Sequence, residues 1–131
     1  MNEQLDSLKE YDQHGHLIYF KDYDGNEQWY DHDAHDNMIH YKDSDGFEEW
    51  SEYDDYGNLI HWRNSRGHEQ WYDHDEHGNL IHIRYSDGSE EWSEYDDNRN
   101  EIHFKDSDGY EVWYDSNGNE ITKAEYDRIH I

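Results

Sequence analysis

Histidines and carboxylates are the residues of this chain whose types and spacing could do chemistry. His40, His61, His82 and His103 recur every 21 residues, with acidic residues at regular offsets from each. Imidazole titrates near neutral pH, so such a row is either a solvated, carboxylate-paired ladder or a pH-responsive surface. Adjacent members would sit two strand spacings apart, roughly 9.6 Å, too far for one metal ion to bridge. Denser ligand sets occur in Asp31-His32-Asp33-Ala34-His35 and Asp73-His74-Asp75-Glu76-His77, but strand alternation sends neighbours to opposite faces, so no metal site is expected. The segments Asp22-Tyr23-Asp24-Gly25, Asp43-Ser44-Asp45-Gly46 and Asp106-Ser107-Asp108-Gly109 look like calcium-loop fragments without the later bidentate glutamate, and turn chemistry accounts for them. There is no Gly-x-Ser-x-Gly elbow, phosphate loop or cysteine, and the carboxylates recur in every unit instead of converging once. A protein without catalytic residues or a cofactor is therefore expected.

The elements that must position these residues come from a repeat. Tryptophan falls at 29, 50, 71, 92 and 113, and isoleucine keeps the same 21-residue beat at 18, 39, 60, 81 and 102. The chain reads as a single repeat domain, with an N-terminal cap over 1–9, five repeats over 10–114, and a truncated repeat with a C-terminal cap over 115–131. A longer period overlies the first, since 10–51 matches 52–93 at 25 of 42 positions. Each unit holds two short alternating segments bounded by glycine-bearing turns. That pattern predicts an all-β antiparallel meander of tandem hairpins forming a strongly curved single sheet or an incomplete barrel, closed by pairing with a second copy in a homodimer.

Composition sets the physical problem. Leu, Ile, Val and Phe number 18 of 131 residues and the formal charge is −25, which by itself describes a disordered chain. Six tryptophans, thirteen tyrosines and three phenylalanines held in strict register favour a folded one, because each aromatic ring can bury roughly 150–250 Å². With no apolar N-terminal core and no run approaching the roughly 20 apolar residues of a membrane span, a cytoplasmic location is expected, or the host cytoplasm for a phage-encoded chain. The charge disfavours direct contact with nucleic acid or a membrane and favours a basic protein surface.

Charge pairing also selects the strand register. A three-residue loop at Asp43-Ser44-Asp45-Gly46 sets Lys42 opposite Glu48, and likewise Lys21 opposite Glu27, Arg63 opposite Glu69, Arg84 opposite Glu90 and Lys105 opposite Glu111; a two-residue loop would oppose like charges. Side-chain parity then requires four residues in the second turn, Asp55-Tyr56-Gly57-Asn58, and two in the last, Asn117-Gly118. In this register one face carries Ile18, Phe20, Ile39, Tyr41, Ile60, Trp62, Ile81, Ile83, Ile102 and Phe104 with Tyr30, Tyr53, Tyr72, Tyr95 and Tyr114, and is expected to be the buried side. The other carries the tryptophans, with Trp50 flanked by His40 and Arg63.

At this point the chain resembles a known family. Glu52-Tyr53-Asp54-Asp55-Tyr56-Gly57-Asn58-Leu59-Ile60, and Glu10-Tyr11-Asp12 through Gly15 to Leu17-Ile18, look like the YD repeats of Rhs and teneurin proteins, over about 10–121. The resemblance implies hairpins aligned into a spiralling β-shell. It does not carry over the enclosing of a toxin.

The turn tips Asp33, Asp36, Asp54, Asp55, Asp75, Glu76, Asp96 and Asp97 form acidic clusters about 10 Å apart, close to the charge density of a phosphodiester backbone. With Tyr56 as a base-like contact, they make a candidate partner-binding rim. The leading expectation is a nucleic-acid mimic that occupies the channel of a basic nucleic-acid-handling enzyme, such as a restriction or CRISPR nuclease, as an anti-CRISPR or anti-restriction inhibitor does. The alternative is a structural or adhesive YD-repeat module whose aromatic face binds carbohydrate or a second copy of itself.

Overall fold

The computed structural model describes residues 7–130; the expected cap over 1–9 lies outside them for its first six residues, as does the last residue of the C-terminal cap. Two compact units divide the chain, Met1–Glu69 and Gln70–Ile131. The first holds β1 (Leu8–Tyr11), β2 (Leu17–Lys21), β3 (Glu27–His32), β4 (Met38–Asp43), β5 (Glu48–Tyr53) and β6 (Leu59–Asn64). The second holds β7 (Glu69–His74, which begins at the boundary), β8 (Leu80–Tyr85), β9 (Glu90–Tyr95), β10 (Glu101–Asp106), β11 (Glu111–Tyr114), β12 (Glu120–Ile121) and the helix α1 (Lys123–Ile129). Within each unit, consecutive strands pair antiparallel. The chain is thus an all-β meander of tandem hairpins.

The charge-selected register is the observed one. Lys21 faces Glu27, Lys42 faces Glu48, Arg84 faces Glu90 and Lys105 faces Glu111. Opposed unlike charges each contribute roughly 0.2–1 kcal/mol.

The turns differ from expectation in an instructive way. All share one build: in the loop after β5, the Asp54 N–H donates to the Asn58 carbonyl at 2.9 Å and the Gly57 N–H to the Asp54 carbonyl at 3.1 Å. Three residues lie between the closing pair, as in the Asp43–Phe47 loop. The last turn closes identically from Asp115 to Asn119, so Asn117-Gly118 is not a two-residue hairpin. In every loop but the one led by Tyr85, where Asp87 accepts from Ser89 instead, the leading Asp or Asn side chain stabilises this build. Asp54 Oδ1 accepts the N–H of Tyr56 and of Asn58, and Oδ2 accepts from the Asn58 amide. A four-residue loop would forfeit that set of bonds.

The residue that the second loop would have held is placed in the strand. Glu52 faces His61 while Tyr53 faces Leu59, so Ile60 is an extra, bulged residue. The same shift leaves Ile18, Ile39, Ile81 and Ile102 unpaired in their strands. The isoleucine beat is therefore a β-bulge beat, and it preserves side-chain parity in the strand bodies beyond it.

The fourth residue of each loop adopts a left-handed conformation, Gly57 at φ +85° for example, and two non-glycines do so at this position, Asp36 at +70° and Arg99 at +66°. Such residues carry a cost of roughly 1–2 kcal/mol, lessened for Asp by local hydrogen bonding.

A second device binds each hairpin to the next. The Ser44 N–H donates to the Glu27 carbonyl while its Oγ accepts from the Glu27 N–H, and Ser65 with Glu48 and Ser107 with Glu90 repeat the exchange at 2.9–3.0 Å. A loop serine thus continues the strand ladder beyond its end.

Burial is the largest departure from expectation. Among the described residues only Ile102 and Val112 are buried, and most of the isoleucine and tyrosine face is half-exposed, Ile60 at 36%. Eighteen aliphatic and phenylalanine side chains spread along so many strands cannot supply a second layer. Stability must come from edge-to-edge neighbours instead, as in other repeat proteins. The helix was not anticipated, although its signal is present: Thr122 accepts from the Glu125 N–H and Glu125 reaches back to Thr122, a capping box. It packs against β11 and brings Tyr126 to His103 and Trp113, with ring centroids 6.0 and 6.5 Å away.

Candidate functional site

The tryptophan face is built of three-residue stacks running across the strands. His40 on β4 lies parallel to Trp50 on β5, with centroids 5.5 Å apart at 19°, and Arg63 on β6 covers the ring with its guanidinium 4.1 Å from the centroid. His82 stacks on Trp92, which Lys105 approaches at 5.1 Å. His103 stacks on Trp113 at 5.3 Å, and Arg84 lies over Trp71 at 4.4 Å. Each such pair adds roughly 0.5–1.5 kcal/mol beyond simple burial.

Every histidine of the row is also gripped by two carboxylates. Nδ1 of His40 meets Asp31 at 3.1 Å and Nε2 meets Glu48 at 2.9 Å. His61 lies between Glu52 at 3.2 Å and Glu69 at 2.6 Å, His82 between Asp73 and Glu90, both at 3.1 Å, and His103 between Glu94 at 2.9 Å and Glu111 at 2.7 Å. An imidazole placed between two carboxylates can donate from both nitrogens only as the imidazolium, so this arrangement favours the protonated ring at His40, His61 and His103. Partial burial alone would lower the pKa of His40, His61 and His103; the two hydrogen bonds and the carboxylate charges outweigh it and raise all three. In the first repeat the corresponding residue is Tyr19, whose hydroxyl donates to Glu27.

The expected acidic rim separates into two kinds of residue. Asp33, Asp54, Asp75 and Asp96 are the leading residues of their loops, with Oδ1 accepting two backbone N–H groups and Oδ2 one asparagine amide. Hydrogen bonds from Asn37 and Asn100 hold Asp33 and Asp96 below the usual carboxylate pKa. Those from Asn79 do so for Asp75, against desolvation. Asp36, Asp55, Tyr56, Glu76 and Asp97 stand exposed at the tips, Tyr56 at 92%. Within the first unit, Asp33, Asp36, Asp54, Asp55 and Tyr56 share the sheet edge formed by the β3–β4 and β5–β6 turns; in the second, Asp75, Glu76, Asp96 and Asp97 share the corresponding edge.

Sequence reasoning missed the serine staples, whose 21-residue spacing is legible once a loop is known to pair with the preceding strand. It also missed that Asp12, His16 and His32 come together, because they lie in different elements.

Residues 53–90 match the family model described as RHS Repeat. Those 38 residues are thus similar to an RHS repeat. Solved structures with the same fold include "Crystal Structure of TcdB2-TccC3-TEV", at 20% identity and a TM-score of 0.72, and "Crystal Structure of TcdB2-TccC3-Cdc42", at 21% and 0.70. Both alignments cover 88% of this chain and 7% of the other. A Tc holotoxin pore from Photorhabdus luminescens aligns over 82% of this chain and 9% of its own, at 16% identity and a TM-score of 0.55. This chain therefore spans less than a tenth of the length of those proteins, and at such identities the likeness is one of fold. Comparison with curated protein sequences gives no match.

Proposed function

We propose that this chain is a non-enzymatic structural module that works by packing the isoleucine and tyrosine face of its sheet against a second copy of itself. The observation that carries this reading is the contrast in burial: side chains such as Phe20, Ile39, Trp62 and Ile83 lie on strands yet stay half-exposed, and no described element of either unit lies over them. Gln28, Glu49 and Glu91 interrupt this face, but aromatic and aliphatic side chains exposed in such a row are ordinarily covered in use. The tryptophan face suits a different role. A sugar ring needs an open aromatic face to lie on, and both faces of Trp50 are already occupied by His40 and Arg63; carbohydrate binding therefore has little support.

Sedimentation of the full chain tests the proposal. Association that persists or strengthens in molar salt is the expected result, because apolar burial is not screened. A chain that remains monomeric at high concentration in every salt would overturn it.

A second reading, capture of a basic protein, draws on the exposed tips Asp36, Asp55, Glu76 and Asp97 and on the formal charge of −25. It requires binding to a basic protein that weakens steeply between roughly 50 and 200 mM salt and that is lost when those four side chains become amides or serines.

A further inference from the structure

We propose that Asp12, His16 and His32 form a binding site for a borderline divalent transition-metal ion such as Zn2+, Co2+ or Ni2+. One ligand atom from each of the three lies within 4.8 Å of the others. The residues come from two elements: Asp12 and His16 open and close the β1–β2 turn, and His32 ends β3. Two imidazoles and a carboxylate are a donor set suited to these ions and poorly suited to calcium or magnesium.

Nδ1 of His32 is buried and has no hydrogen-bond partner, although a buried polar atom ordinarily has one; Nδ1 of His74, 42 residues on, is in the same state, and what sets His32 apart is that His16 and Asp12 stand beside it. The rings of His16 and His32 lie 4.5 Å apart at 22°, and the Asp12 carboxylate, whose Oδ2 lies 3.2 Å from His16 Nδ1, supplies the negative charge that a divalent ion needs.

The repeat itself shows that this corner is unusual. At the position of His16 the later turns of this type carry Asn37, Asn58, Asn79, Asn100 and Asn119, each closing on the leading Asp of its loop. Only the first repeat places an imidazole there. At the left-handed loop position where Gly57 and Gly118 stand in later turns, the next loop instead carries Asp36 at φ +70°, with its Oδ1 3.6 Å from His16 Nε2. Two departures from the repeat thus converge on one point and add a second carboxylate to it.

Binding requires a small movement. Tetrahedral ligands at metal distances of about 2.0 Å stand roughly 3.3 Å from one another, so His16 must turn out of its stack. Its side chain is 25% exposed and lies in a turn, which leaves it room to do so.

The repeat also supplies variants that keep the fold. His16→Asn installs the residue of the later turns, and His32→Tyr installs the residue found at Tyr53 and Tyr95. The test is Co2+ titration of the full chain by visible spectroscopy, with melting measured with and without Zn2+. One Co2+ per chain with nitrogen-ligand absorption and a Zn2+-dependent rise in Tm are expected. Both should be lost in either variant, with affinity falling about tenfold or more. Wild-type and both variants binding alike, or wild-type binding only many weak equivalents through its surface carboxylates, would overturn the proposal. Because the readouts are spectral and thermal, the outcome is independent of self-association.

Discussion

The two faces of the sheet solve the same shortage of apolar residues in opposite ways. On the tryptophan face Trp50 and Trp92 have both π-surfaces taken by side chains of adjacent strands, and each histidine of the row has both nitrogens bonded to carboxylates. On the isoleucine and tyrosine face the side chains touch but are not covered. Tyr30 and Tyr41 lie 5.3 Å apart, and among the described residues only Ile102 and Val112 are buried. Polar and aromatic groups can saturate one another within a single layer because their interactions are directional and pairwise. Aliphatic groups gain from exclusion of water, and that requires a second layer. The uncovered face is accordingly the one assigned to association.

Truncation on the aliphatic face should give the largest effect and the sharpest contrast. Ile102→Ala is expected to cost about 2–4 kcal/mol in urea unfolding, whereas Ile60→Ala, 36% exposed, should cost less than about 1 kcal/mol in the dissociated chain. Equal losses would mean that burial does not distinguish the two bulge positions.

The tryptophan face should reveal itself through pH. The raised pKa values of His40, His61 and His103 mean that the folded state holds protons which the unfolded state, with an ordinary value of 6.5, releases. Their contribution is complete below 6.5 and fades as pH climbs through the raised folded values. At the acid end, Asp12, Asp33, Asp75, Asp96 and Asp115 are depressed below 3.8, so their contribution is present above 3.8 and is lost as pH falls through the folded values. Urea midpoints should therefore be highest between these limits and decline above 6.5. Replacing the three histidines with glutamine should flatten that decline; an unchanged slope would remove the imidazolium ladder as its cause.

The serine staples should give the smallest change. Ser65→Ala removes the hydroxyl that accepts from the Glu48 N–H and keeps the backbone bond to the Glu48 carbonyl. A loss of about 0.5–1 kcal/mol is expected, since the orphaned N–H lies near solvent. Faster amide exchange at Glu48 would locate the effect.

Much of the local structure was legible because the repeat restates it. Lys42 against Glu48 fixed the register, since one residue of slip would have set Asp22, Asp43 and Asp106 against glutamates and removed the opposite-charge pair from every repeat. The stacks of Trp50 with His40 and Arg63 followed from that register. The second turn was misread because parity counts residues without locating them. A four-residue loop and a three-residue loop with a bulge at Ile60 leave the same parity, and only the side-chain bonds of Asp54 separate them. The same bonds draw Asp33, Asp54, Asp75 and Asp96 into the loops, a use that their charge alone does not disclose.

The sequence by itself determined the strand order within a repeat, the pairing register and the composition of each face, because these depend on neighbours related by a fixed 21-residue interval. Tertiary structure alone decided where the surplus residue of each repeat goes, how little of the aliphatic face is covered, and that Asp12, His16 and His32 meet. Those outcomes depend on distances between side chains of different elements, and no periodicity along the chain encodes such distances.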